Sequence, residues 1–331
     1  MSKKLSDKIK IGSFVCTVMV VYRHSLNYMA FFDTWTGQGI CGWVEDGFSV
    51  LTEVAIPYFF IVSGFFFFRT DYSIGRNYLS MLGKKTRTLL LPFVTWNIVG
   101  AIALWFSNRE SIGDSFATCL YNLAMSKWYP PLWYVRDLMV FMILTPIIYW
   151  LYRKDSWLFY IPVFVLLFYM WNPVDSSFLS TEGVLFFLIG GLFQKKNFHF
   201  TDKWKTNVFI AMAFVWFLLC FLQLGKISLF VHKLTVVFGL FTLWNLIEEI
   251  PLCITKRLLV WAKYSFLIYV LHLNILRFLK NLLGYYFHGN ELMALLTYLL
   301  LPVLTIAFVV FIGRILRYRF PKVMAIVLGG R

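Results

Sequence analysis

Arg23 and His24 stand side by side inside the long apolar run 11–32, and His272 lies well inside another, 258–279. An imidazole exchanges a proton near neutral pH. A neutral His24 can therefore act as a general base, and Glu53 is a carboxylate able to orient it. Arg23 and Arg136 are suited to hold a carboxylate, a phosphate or a developing oxyanion. Bland readings stand beside these. Arg136, Asp137 and Glu182 also read as helix-end charges or snorkelling side chains. Glu53 also reads as half of a satisfied ion pair, and His272 as a packed histidine. A second group, Lys84, Lys85 and Arg87, joins Arg69 and Arg76 in five positive charges ahead of the run 88–107. These suit either anionic lipid headgroups or the phosphates of a cytosolic cofactor. The five cysteines have no metal-ligand spacing, and no metal is expected.

The elements that must hold these residues are unusually apolar. Of 331 residues, 60% are hydrophobic, 20% aromatic and only 14% charged, whereas a soluble domain averages about 45–50% apolar and about 25% charged. A disordered chain, a disulfide-stapled secreted domain and an ordinary soluble enzyme are excluded. The composition predicts an all-α polytopic membrane protein. Ten segments approach the required length of about 20 residues: 11–32, 47–68, 88–107, 133–151, 157–171, 182–194, 206–224, 229–247, 258–279 and 292–313. Their apolar runs are continuous, without the alternation of barrel strands.

The net charge of +15 follows the same pattern. Of 31 Lys and Arg, 22 fall in one alternate set of connections and 4 in the other. Such a bias is the positive-inside signature, and it predicts both termini in the cytoplasm. The basic excess is thereby a topology signal, and nucleic acid is not an expected partner. The first apolar run is too long for a cleaved signal peptide and has Arg23-His24 where a small-residue cleavage site would stand, so a retained span is expected. One membrane domain, 1–331, is the simplest organisation. Cys41 and Cys119 fall in the outer connections, where a disulfide is open beside the reading of five unpaired thiols.

This topology assigns depths. His24 lies about 13 residues into a helix entering from the cytoplasm, roughly 20 Å at 1.5 Å per residue. His272 lies 14 residues into its helix, from the same side. Glu53, Arg136, Asp137 and Glu182 fall toward the outer end of their own segments. Seven polar residues from five segments are expected in one layer. A charge at the centre of a membrane helix costs roughly 2.5–3.5 kcal/mol on insertion scales, which makes such residues functional candidates.

At these residues the chain resembles the family-3 membrane acyltransferases, ten-span bacterial acyl-CoA-dependent O-acyltransferases of surface polysaccharides. Val20-Val21-Tyr22-Arg23-His24-Ser25 is similar to the family's first helix, which ends in a catalytic histidine. Pro57-Tyr58-Phe59-Phe60 followed by Ser63-Gly64 resembles its second-helix signature. Lys84-Lys85-Thr86-Arg87 with Leu91-Pro92-Phe93 resembles its basic-x-x-basic motif. Leu132-Trp133-Tyr134-Val135-Arg136 and Ser265-Phe266-Leu267-Ile268-Tyr269…His272 are similar to two later motifs. The chain departs from the pattern at Ser13, where many members have a basic residue, and in Arg23 directly before His24.

The resemblance implies transfer of an acyl group, most often acetyl, from cytosolic acyl-CoA to a sugar hydroxyl. It implies His24 as base or transient acyl carrier, with Arg23, Arg136 and Glu53 positioning it and stabilising charge. It implies Lys84, Lys85 and Arg87 on the CoA phosphates, and Trp133, Asp137, Glu182 and His272 at the acceptor. The acceptor would be a lipid-linked glycan or a polysaccharide, and the location a bacterial inner membrane. Two other classes remain open from the residues alone: a proton-coupled transporter or flippase, and a non-catalytic ligand-binding module.

Overall fold

The structure is a computed structural model that describes residues 2–34, 39–107, 112–153, 157–171, 179–195, 206–224 and 229–330, with the backbone alone at 151, 157–160 and 162. No strand occurs among the described residues. The helices are α1 Lys3–Arg23, α2 Tyr28–Phe32, α3 Gly39–Thr52, α4 Ala55–Phe67, α5 Gly75–Lys85, α6 Leu91–Ser107, α7 Phe116–Ala124, α8 Trp133–Ile143, α9 Thr145–Arg153, α10 Trp157–Met170, α11 Thr181–Lys195, α12 Thr206–Leu224, α13 Leu229–Glu249, α14 Leu252–Ala262, α15 Ser265–Tyr286, α16 Glu291–Arg319 and α17 Pro321–Val327. A π-turn, Thr86–Leu90, joins α5 to α6.

Six of these, alone or joined end to end, are long and apolar enough to cross a membrane: Gly39–Phe67, Gly75–Phe106, Thr206–Leu224, Leu229–Glu249, Ser265–Tyr286 and Glu291–Arg319. They correspond to the second, third, seventh, eighth, ninth and tenth expected segments. The other four are helical but differ in form. The first, α1, is 21 residues long and carries several charges near its start. It ends at Arg23, short of the expected 32, because the chain unwinds over 24–27 before α2. The fourth is two short helices, α8 and α9, parted at Leu144. The fifth and sixth, α10 and α11, have 14 and 15 residues. The expected outer connection 108–132 contains α7, and 108–111 lie outside the described residues.

Contacts cluster the chain into two units, Met1–Phe59 with His199–Arg314, and Phe60–Phe198 with Ile315–Arg331. In the first, α1 packs against α3, α13, α14 and α15, and α12 against α13. The break between α3 and α4 falls at Glu53 and Val54. Pro57 explains it: a proline ring collides with the carbonyl four residues earlier, here that of Glu53. Glu291 opens α16 and also ends the α3 backbone, accepting the N–H of Ile40 and, at 3.1 Å, of Cys41. A carboxylate there meets the positive end of the helix dipole.

The second unit has an aromatic core. Phe60 packs on Tyr134 and Phe141 at 4.7 and 5.9 Å between ring centroids, and Phe141 on Phe187 at 4.7 Å. The C-terminal α17 returns to α6, where Trp96 donates from Nε1 to the Val327 carbonyl at 3.1 Å. In the connection before α5, the hydroxyls of Ser73 and Tyr149 donate to Asp71 and hold its carboxyl down at about 2. All five cysteines are free thiols. Cys41 donates to Glu45, and Cys119 approaches the Ile112 and Gly113 carbonyls.

Candidate active site

The first unit brings two of the expected site residues together. The rings of His24 and His272 lie 5.2 Å apart between centroids, tilted by 45°. His24 caps the C-terminal end of α1, its N–H still bonded to Val20 at 3.2 Å. Its imidazole makes no hydrogen bond to another described residue, so both ring nitrogens can meet a substrate.

His272 is completely buried. Its Nδ1 lies 2.8 Å from the Tyr269 carbonyl and 3.1 Å from that of Ile268. Carbonyl oxygens only accept, so Nδ1 carries the proton and the Nε2 lone pair is left as an acceptor. Among the described residues that Nε2 has no partner. A buried acceptor without a donor is costly.

Three cations lie near His24. Arg23, Arg277 and Lys280 fall within electrostatic range of His24. Arg23 was expected there, whereas Arg277 and Lys280 were not. Arg277 already falls inside the expected segment 258–279, and α15 runs on to Tyr286, which puts Lys280 on the helix of His272 as well. Glu45 was also missed. Glu45 lies ahead of the expected segment 47–68, but α3 begins at Gly39 and carries Glu45 into the protein, where it is fully buried.

Glu53 is engaged elsewhere, so the expectation that it orients His24 is corrected. Its Oε2 lies 2.9 Å from His232 Nδ1 and accepts from Gln223 Nε2 at 2.7 Å. The helix break at Pro57 turns Glu53 toward α12 and α13, where His232 and Gln223 are its partners.

The remaining expected residues belong to the second unit. Arg136 donates from Nε and Nη2 to Asp137 Oδ1 at 3.0 and 2.9 Å. Asp137 Oδ2 accepts the Ser180 N–H at 2.9 Å, just ahead of α11. Both side chains are buried. Glu182 lies in the first turn of α11, where a negative charge suits the helix dipole. Trp133 opens α8, half-buried, 6.1 Å from Phe60 between ring centroids. Lys84, Lys85 and Arg87 straddle the start of the π-turn, with Lys84 and Arg87 exposed. A π-turn often accompanies a functional position. Gly329 packs against it, with φ +67° and the Thr88 backbone where a side chain would begin.

The structure thus sets a buried His272, its Nε2 without a partner among the described residues, against a half-buried His24 at the unwound end of the first helix of a helical membrane protein. The chain belongs to acyltransferase family 3: the family's acyltransferase domain matches residues 13–314. This range includes His24, His272 and the expected site residues of the second unit from Lys84 to Glu182, and it stops short of Ile315–Arg331. The succinoglycan biosynthesis protein ExoH of Rhizobium meliloti (strain 1021) is similar, 23% identical over 183 residues, which cover 50% of this chain and 48% of that protein. The chain thus spans about half the length of this curated relative. No solved structure matches.

Proposed function

We propose that this acyltransferase moves an acyl group, acetyl in the simplest case, from cytosolic acyl-CoA to a hydroxyl of a cell-surface polysaccharide or lipid-linked glycan. The bilayer it occupies is a bacterial inner membrane, crossed ten times with both termini inside. The observation that carries the reading is the His24–His272 pair within the matched acyltransferase domain. The relative's role in succinoglycan biosynthesis supports a glycan acceptor.

In this reading His24 removes the proton of the acceptor hydroxyl as its oxygen attacks the thioester carbonyl. The C–O bond forms, the C–S bond breaks, and the proton passes from His24 to the departing CoA sulfur. The positive charges of Arg23, Arg277 and Lys280 favour the oxyanion of the tetrahedral intermediate. His272 Nε2 accepts a hydrogen bond from the group being deprotonated or from His24 itself. Lys84, Lys85 and Arg87 are assigned the phosphates of CoA, as point charges and a fork suited to such anions. Trp133 is assigned a sugar ring, and the Arg136–Asp137 pair and Glu182 the polar edge of the acceptor.

Membranes carrying the protein are given radiolabelled acetyl-CoA and a lipid-linked glycan fraction. Alkali-labile label is expected in the glycan with wild type, and about 10²-fold less or lower still with His24→Ala, the typical effect of losing a general base. Wild-type transfer by a folded His24→Ala protein would remove His24 from the chemistry. No transfer from any acyl-CoA would overturn the choice of donor.

A further inference from the structure

The peptide bond between Leu26 and Asn27, two residues beyond His24, is gripped at both ends by opposite charges. Lys280 Nζ donates to the Leu26 carbonyl at 2.7 Å and reaches the His24 carbonyl at 3.4 Å. On the other edge, the Asn27 N–H donates to Glu45 Oε2 at 3.0 Å. The carbonyl and the N–H belong to one planar unit, so a cation meets the negative end of its dipole and an anion the positive end. Glu45 has 0% exposure, and its second oxygen accepts from Cys41 Sγ at 3.3 Å. The Asn27 side chain extends the grip by donating to the Ala294 carbonyl of α16 at 2.8 Å.

An unwound stretch inside a membrane protein must have its backbone groups satisfied, but neutral side chains suffice for that. A fully buried Glu45 with a half-buried Lys280 is a more costly solution. Charge-assisted hydrogen bonds are roughly twice as strong as neutral ones, and here they act where the chain turns away from His24. Lys280 also stands on α15, the helix of His272. One helix therefore supplies one imidazole and anchors the backbone that carries the other.

We infer that Glu45 and Lys280 are positioning residues for His24: by clamping the Leu26–Asn27 peptide they fix the end of α1 so that its imidazole is held against His272. The inference rests on the reading that His24 takes part in acyl transfer. A misplacement of about 1 Å can cost about 10²-fold in rate, so a clamp on the backbone two residues away is enough to matter.

The whole 331-residue chain in detergent is compared as wild type, Glu45→Ala, Glu45→Gln, Lys280→Met, the Glu45→Ala/Lys280→Met double variant and, as a control, Asp46→Asn, a change at an exposed carboxylate that accepts from Tyr28. Three quantities are measured: kcat and KM for acyl transfer, the rate at which diethyl pyrocarbonate modifies His24 as read by mass spectrometry, and the unfolding temperature. Glu45→Ala and Lys280→Met are expected to lower kcat by about 10²-fold with KM for the donor within about twofold, and to change the rate of His24 modification. Glu45→Gln keeps an acceptor but not the charge and should fall between wild type and Glu45→Ala. The double variant should be no worse than the poorer single one, because both act on one peptide. Wild-type kcat and wild-type His24 modification in a folded Glu45→Ala or Lys280→Met protein would overturn the clamp. So would a lowered unfolding temperature with no change at His24. If the alanine variant does not fold, Glu45→Gln decides, and wild-type values for both its kcat and its His24 modification would count against the inference. Activity in His24→Ala would instead overturn the role of His24 in transfer, while the modification rates would still report on the clamp.

Discussion

His272 is held by its own helix. The proton on Nδ1 is committed to carbonyls one turn back, and Nε2 is the nitrogen left for chemistry. This asymmetry permits a sharp test. In His272→Asn the amide nitrogen reaches roughly where Nδ1 was and can keep the bond to Tyr269, whereas nothing replaces Nε2. The variant is expected to fold like wild type and to transfer acyl groups about 10²-fold more slowly. Wild-type turnover, measured with labelled acyl-CoA, would reduce His272 to a packing residue. The meeting of His24 and His272 was legible in the sequence, because counting residues from the cytoplasmic side put both at one depth. The partner of Glu53 was not. Depth alone does not give the direction in which a side chain points, and the proline-induced break that turns Glu53 toward His232 is an effect of the backbone. Glu45 and Lys280 were hidden for a simpler reason: both lie at segment ends, where hydropathy misplaces boundaries by several residues, and a charge there reads as solvent-facing.

At the scale of elements, Ser63-Gly64 shows what a family motif does physically. A Cβ on Gly64 would collide with the backbone carbonyl of Phe187, and one on Gly190 with that of Ile61. Helices α4 and α11 thus touch backbone to backbone, the close approach that small residues allow in membranes. Ser63 adds a hydrogen bond to the Tyr134 hydroxyl at 2.7 Å. Gly83, on the exposed α5, meets open space instead. The same substitution should therefore have opposite signs. Gly83→Ala is expected to be neutral or to stabilise by up to about 1 kcal/mol through helix propensity. Gly64→Ala is expected to destabilise by about 1–3 kcal/mol through overpacking, read as a lowered unfolding temperature of the solubilised protein. Equal effects at the two positions would show that α4 and α11 do not approach so closely. The long apolar helices could be read from hydropathy alone. The α8–α9 break at Leu144 has a signal that hydropathy passes over, Pro146, which has no N–H for the Met142 carbonyl and crowds it with its ring, and the π-turn over Thr86–Leu90 is likewise invisible to hydropathy.

At the scale of the whole molecule, the remaining question is which side of the bilayer each end of the helices faces. The Lys and Arg bias places the connection around Lys256 and Arg257 in the cytoplasm and the stretch before Trp133 outside. The chain carries its own reporters for this. Cys253 is exposed on α14, beside Lys256 and Arg257, and Cys119 is partly exposed on α7. Cys16, Cys41 and Cys220 are buried and should react slowly from either side. A membrane-impermeant maleimide is expected to label Cys119 and spare Cys253 in spheroplasts, and to do the reverse in inverted vesicles, with the site of label read by mass spectrometry. Labelling of both cysteines from one side would mean an odd number of crossings in error between α7 and α14. Labelling in the reversed sense would put His24 near the cytoplasmic end of its helix. The acceptor hydroxyl would then be deprotonated on the cytoplasmic side, and the acyl group would be added before the glycan is exported.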